Sequence, residues 1–538
     1  MPAVVDLPLR GEPVRLRLIG VVVAVTATAA CTSPDGATPA DDGRSIVVGA
    51  GSEPENLNPI LGYAPDGAAK IFDGLVARDA RLDLVPGLAE QVPTASPDGL
   101  TWTATLRAGA RFSDGAAVSA EDVVFTYDAV LDPKTDSTIA SRLDALADVS
   151  APDDRTVVFR LSYPYAPFAR QLTLGIVPRK AFESVDVDSA PFNTAPIGTG
   201  PYVVAEWRTG DRMVLKANED HWAGAPAIKT VTVVFVPDDN ARATRMAAGE
   251  FDGTVLPPKL VGAYTGKPGY RVVRNPSADY RGLGLPADLP LTSDPDVRLA
   301  INLALDRQAM VDTVLAGAGT PAATPISPHL AGWHDPTATF PHDTARAERL
   351  LDEAGWRRGA DGKRSRDGQP ARLPVLYPAA DVLRKELALA AASDIARLGI
   401  DAPVEATTFD VMLQRRGEAA GMWGGGDPYD PDTAAYTLLH SRYAGQPGYV
   451  NMTGYRNAAV DSALDTARRS LDPATRARAY TDFQRAYTAD PAWAFLVFLD
   501  HTYVLRDRWD GQVEQVEPHD HGLVHAVWWN LERWTPKP

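Results

Sequence analysis

Short β-branched runs alternate with capped amphipathic helices from residue 45 onward, with no internal repeat or low-complexity block, and this confines the chain to an α/β architecture. SIVVGAG (45–51) and TVTVVFV (230–236) both read as central strands. SAEDVVFTYDAVLD (119–132) reads as a helix with Ser119 as N-cap, Asp122 three residues on, and Val123, Val124, Tyr127, Val130 and Leu131 on one face. TARAERLLDEAGW starts a helix at Thr344 and stops it at Gly355, and KELALAAASDIARLGI (385–400) is a third helix, closed by Gly399. A chain this long buries about three quarters of its unfolded surface and divides into more than one lobe.

The N-terminus is of a different kind. Arg10, Arg15 and Arg17 precede the uncharged run LIGVVVAVTATAA (18–30), which ends at Cys31. That run is shorter than the roughly 20 apolar residues a membrane span needs, and it has the charged start and small-residue end of a cleavable signal peptide. Cys31 is the only cysteine, so a disulfide framework is excluded. A lone cysteine after small residues resembles a bacterial lipobox, which implies cleavage of residues 1–30 and lipidation of Cys31. Thr28 stands where a lipobox usually has Leu; an ordinary signal peptide with an unrelated cysteine is the other reading. Residues 31–44 read as a flexible tether, too polar and turn-rich to fold.

Formal charge is −16 for the full chain and −17 once residues 1–30 are set aside, which argues against a nucleic-acid partner and agrees with neutral or cationic ligands. The local motifs of common hydrolases, zinc proteases and nucleotide-binding loops are absent from the sequence, so no enzyme activity and no cofactor are expected, a secreted hydrolase being the remote alternative. His519, His521 and His525 in HDHGLVH are close enough in sequence to share a metal, which is a weak compositional hint only.

The segment GMWGGGDPYDPD (421–432) carries the chemistry. Asp427, Asp430 and Asp432 do not have the spacing of a calcium loop, and Pro428 and Pro431 keep a helix from running through it. Gly424, Gly425 and Gly426 allow close backbone approach, and Trp423 offers a wall. Alternatively the acids make turns and caps: DPDTAAYTLLHS reads as a helix capped by Asp430 or Asp432, of which Asp432 is the expected cap. His440 at its end reads as packing.

The stretch SPDGLTWTATLRAGARFSDGAAVSAEDVVFTYDAV (96–130) closely resembles the signature of the family 5 extracellular solute-binding proteins, the peptide and nickel receptors of ABC importers. Further matches follow in family order, among them EPENLNP (53–59), PIGTGPYVVAEW (196–207), NEDHWAGAPAIKTVTVVFV (218–236) and DVRLAINLALDRQAMV (296–311). The resemblance implies a class II periplasmic-binding-protein fold, an α/β fold of two lobes with a hinge and a ligand cleft between them. Residues 45–280 plus 490–538 would form the large lobe and 281–489 the small one, with crossings near 278–285 and 491–499. The hairpin of the signature is expected at Thr101 to Leu106 followed by Arg111 and Phe112. By the same resemblance the protein is a monomer that captures a peptide ligand and delivers it to an ABC permease and ATPase, held to the membrane by its lipid anchor. Ligand-binding residues are then Asp427, which receives the α-ammonium, with Trp423, Gly425, Gly426, Tyr429, Ser52 and Glu53. A nickel or metal-chelate receptor is the alternative, with His440 as a ligand.

Overall fold

Ser45–Ala50 and Thr230–Phe235 pair in parallel, burying Ile46 and Val48 against Val231 and Val233, and Gly253–Val255 runs parallel on the other side of Ser45–Ala50. In this computed structural model, which describes residues 43–67, 70–519 and 526–538, these strands belong to an 11-stranded sheet. The signal peptide, Cys31, nearly all of the tether, His521 and His525 lie outside the described residues.

The sheet has two parallel halves. One is Gly253–Val255, Ser45–Ala50 and Thr230–Phe235, extended antiparallel by Arg212–Ala217 and Tyr202–Arg208; the other is Val404–Thr407, Val375–Pro378 and Ala420–Gly425. Joining them is an antiparallel pair of long strands, Tyr270–Gly284 and Trp493–Arg506, with register shifts between Pro276 and Tyr280 and between Arg281 and Gly282. Residues 278–284 and 493–499 of the expected crossing segments fall on this pair. Among the described residues, buried apolar side chains gather in clusters that respect the same division: two draw on residues 46–264 and 503–534, and two on residues 280–499.

Local structure follows local chemistry at most helix ends. Ser119 and Asp122 form a reciprocal capping box on Ala120–Leu131. Thr344 is the first helical residue rather than the cap; the Asp343 carboxylate takes that role by accepting from Arg346 N. The third helix begins three residues earlier than the apolar pattern indicates, at Val382, because Asp381 caps it, which places Arg384 in its first turn. The expected hairpin is not formed. Thr101–Thr105 pairs with Thr156–Leu161, whose Val157 and Phe159 bury beside Trp102 and Ala104, while Arg111 only bridges Ala117 across the left-handed turn at Gly115.

Candidate functional site

Strand Ala420–Gly425 lies against Tyr270–Gly284 with Gly424 opposite Arg281 and Gly425 opposite Tyr280. A methyl group on Gly424 would stand 2.6 Å from Arg281 Nη1 and 2.7 Å from Arg384 Nη2. The glycine therefore leaves room for two guanidinium groups to converge on one spot. Both arginines are buried, and among the described residues neither Nε has a hydrogen-bond partner. Arg281 pairs with Asp279, its neighbour on the same strand face, and Arg384 with Asp381. Burial and the Arg281 charge, opposed by Asp381, push the Arg384 guanidinium down to about 10.

These groups stand where two cavities adjoin. One, of about 430 Å³, is walled by Tyr280, Phe409, Trp423, Tyr449 and Met452, with Gly424 to Gly426 and Thr433 along one side. The other, of about 380 Å³, is lined by Ser52 at the end of the first strand and by the charged side chains Asp239, Arg242, Asp279, Arg281 and Asp381. Arg384, Phe409 and His519 line both. Each has the size of a small-molecule pocket, roughly 300–1,000 Å³. Because the second draws on residues 48–52, 255–258 and 378–384, it lies where the two halves of the sheet meet.

Behind Arg281, a charged cluster fixes Asp279. His501 bonds Asp279 Oδ2 at 3.1 Å and Glu517 Oε2 at 2.7 Å, and His519 Nδ1 lies 2.9 Å from Asp279 Oδ1. Burial alone would raise the Asp279 carboxyl, but Arg281, His519 and His501 together hold it well below the usual carboxylate range. Burial lowers His501 less than its two carboxylate partners raise it, to about 10, whereas burial prevails at His519 and lowers it.

The residues singled out in the sequence separate into those on the cavities and those behind them. Trp423, Gly425 and Gly426 line the first cavity and Ser52 the second. Glu53 gives one carboxylate oxygen to Trp207 Nε1, at 2.7 Å, and the other to Gly210 N, at 2.8 Å. Tyr429 lines neither of these cavities but a third, of about 420 Å³, with the Arg78 guanidinium 3.7 Å from its ring centre. Asp427 is buried: its Oδ1 accepts from Tyr429 N at 3.0 Å and from Thr433 Oγ1 at 2.8 Å. Burial and the facing Asp66 push its carboxyl up to about 6, against those hydrogen bonds and Arg142.

Asp430, not Asp432, caps helix Pro431–Leu439, because its carboxylate reaches the N–H of Asp432 in the first turn. Asp432 instead accepts from Tyr165 OH at 3.0 Å and from Arg468 Nη1 at 3.0 Å, and Arg468 also reaches Asp144 at 2.5 Å. Asp430 carries a second load, pairing with Arg476 at 2.7 Å and Arg170 at 3.3 Å. Burial drives Asp432 up to about 6 in spite of Arg468. His440 packs on Tyr436 between Asp461 and Asp465.

Sequence reasoning missed Arg281, Arg384, Asp279 and His501. The signal was present in part: Asp279 and Arg281 alternate within the buried stretch 278–284, whose other members are Ala, Tyr, Leu and Gly, and Arg384 follows its helix cap by three residues.

Against known proteins, the description bacterial extracellular solute-binding proteins, family 5 (middle) matches residues 83–446. The chain belongs to that family. It is 47% identical over 513 residues, covering 94% of each chain, to protein XP55 of Streptomyces lividans. Its identity to the oligopeptide-binding protein AppA of Bacillus subtilis is 26%, over 87% of this chain and 89% of that one. The structure of Campylobacter jejuni NikZ in complex with Ni(L-His) superposes with a TM-score of 0.85 at 26% identity, covering 91% of this chain and 99% of that one. The fold is thus the two-lobed class II periplasmic-binding-protein fold, hinged about a ligand cleft, and the chain is a solute-binding protein of the ABC-importer type. Its family is extracellular, and no helix among the described residues is long and apolar enough to cross a membrane.

Proposed function

We propose that this protein captures small peptides and hands them to a membrane permease driven by an ATPase. The observation that carries the reading is the Arg281–Arg384 pair, two buried guanidiniums that converge beside Gly424, Arg384 lining both cavities and Arg281 the second. A planar carboxylate meets such donors with two charge-assisted hydrogen bonds, so the peptide's C-terminal carboxylate belongs there. Its free amine is placed at Thr433, which lines the first cavity and donates to Asp427, so that Asp427 acts one hydrogen bond behind the wall. Lobes at 45–280 with 490–538 and at 281–489 are proposed to close on the ligand; the separate apolar clusters support two lobes but group the buried apolar residues of 492–499 with the small one.

Calorimetry with free di- and tripeptides beside their C-amidated and N-acetylated forms tests this. Free peptides should bind, and amidation should cost roughly two orders of magnitude, as for an unpaired buried charge. Equal binding of amidated and free forms removes the arginines from the reading.

A second reading is favoured by the likeness to NikZ and by His519, whose side chain lines both cavities: a nickel chelate, which native mass spectrometry of the purified protein distinguishes from a peptide. We further propose that Cys31 is lipidated and anchors the mature protein at the membrane. If Cys31→Ser fractionates with membranes as the wild type does, that anchor is wrong.

A further inference from the structure

Phe409 and Tyr449 are among the few large apolar side chains left exposed, at 37% and 57%, and both flank the nearly buried Trp423. The Trp423 ring centre lies 6.3 Å from that of Phe409 and 6.0 Å from that of Tyr449, the latter edge-on. Together with Met452, Leu438 and Ala434 they enclose the cavity of about 430 Å³. Its inner end is polar: the Arg384 guanidinium stands 5.4 Å from the Phe409 ring centre and belongs to both cavities. The aromatic walls are therefore continuous with the proposed carboxylate subsite.

We propose that this aromatic box receives one bulky apolar or aromatic group of the molecule whose carboxylate Arg281 and Arg384 hold, and that Phe409 and Tyr449 set the preference for that group. The inference rests on the small-ligand reading above and narrows it, to carboxylates bearing an apolar group close to the anionic end. Three aromatic walls meet a ring through edge-on and offset contacts, which add to the gain from removing apolar surface from water. A box whose rings only covered the protein core would bury them; instead the outer two remain open to solvent beside the cleft. Free peptide and nickel chelate alike can carry such a group, so the probe is chosen by its chemistry and not by its source.

The test is calorimetry of the whole protein with Gly-Gly, Gly-Phe and Phe-Gly, and with N-acetyl-phenylalanine beside N-acetyl-alanine. Burial of one Phe-sized side chain predicts that wild type favours the better aromatic dipeptide over Gly-Gly, and N-acetyl-phenylalanine over N-acetyl-alanine, by roughly 10- to 100-fold. In Phe409→Ala with Tyr449→Ala both ratios should fall to within about threefold, and Trp423→Leu provides a second variant that keeps an apolar wall. Ratios that survive the double substitution, or a wild type that does not discriminate, overturn the box while leaving peptide capture intact. If no dipeptide and neither acetylated amino acid binds wild type at millimolar concentration, the small-peptide reading falls and the box with it.

Discussion

Replacing Asp427 by Asn should stabilise the protein at neutral pH. The ordinary carboxyl value of 3.8 and the raised value of about 6 are separated by a cost of about 3 kcal/mol, at 1.36 kcal/mol per pH unit. Because the folded value is the higher one, the stability associated with this group is fully present below pH 3.8. It is lost as pH rises from about 4 to about 6, where the unfolded chain has released the proton and the folded chain still holds it. Above that window the wild type carries an ionised, buried carboxylate facing Asp66. An amide keeps an oxygen for Tyr429 N and Thr433 Oγ1 but has no charge to bury. With an unfolding entropy of roughly 2.1 cal/mol/K per residue, a folded body of about 500 residues converts 3 kcal/mol into a Tm gain of about 3 °C at pH 7.5. Differential scanning calorimetry from pH 4 to 8 should show the two proteins converging below pH 4 and diverging through pH 6. The same calorimetric series reads function: one hydrogen bond behind the wall, Asp427→Asn should weaken free-amine peptides by about tenfold. A gap that is flat with pH, or a variant less stable at pH 7.5, refutes the burial argument. A loss of two to three orders in affinity places the ammonium directly on Asp427 instead, since breaking a buried pair costs about 3–5 kcal/mol.

Arg468→Met should destabilise the protein by about 3–5 kcal/mol in denaturant titration, because it leaves Asp432 buried without its cation and takes one partner from Asp144. Adding Asp432→Asn should recover part of that loss, and strict additivity of the two substitutions shows that they are not coupled. Gly424→Ala should lower affinity for carboxylate-bearing ligands at least tenfold with an unchanged far-UV spectrum, since its methyl group displaces the guanidiniums; unaltered affinity removes the convergence point from the site. Arg384→Met should abolish discrimination between free and C-amidated peptides, and its retention points to another carboxylate receptor.

What could be read from the sequence depended on how far each residue's partner lay along the chain. Ser119 and Asp122 satisfy each other within one turn, so the capping box was legible; so were the strands at 45–51 and 230–236, whose β-branched runs describe their own burial. Between Asp430 and Asp432, propensity offered two equivalent caps. The choice was made by partners 36 and 267 residues away, Arg468 and Tyr165, which draw the Asp432 carboxylate out of the helix end. The strand Thr101–Thr105 was legible and its neighbour was not, because a nearby turn suggests a hairpin whereas the ladder to Thr156–Leu161 is decided by which edge buries Trp102. The same limit governs the site. The glycines at 424–426 announced a close approach, and only the register against residues 280–282 shows that what approaches is Arg281. The meeting of Arg281 with Arg384 is therefore specified by a residue with no side chain opposite one with a long charged one, a pairing that local sequence rules do not score.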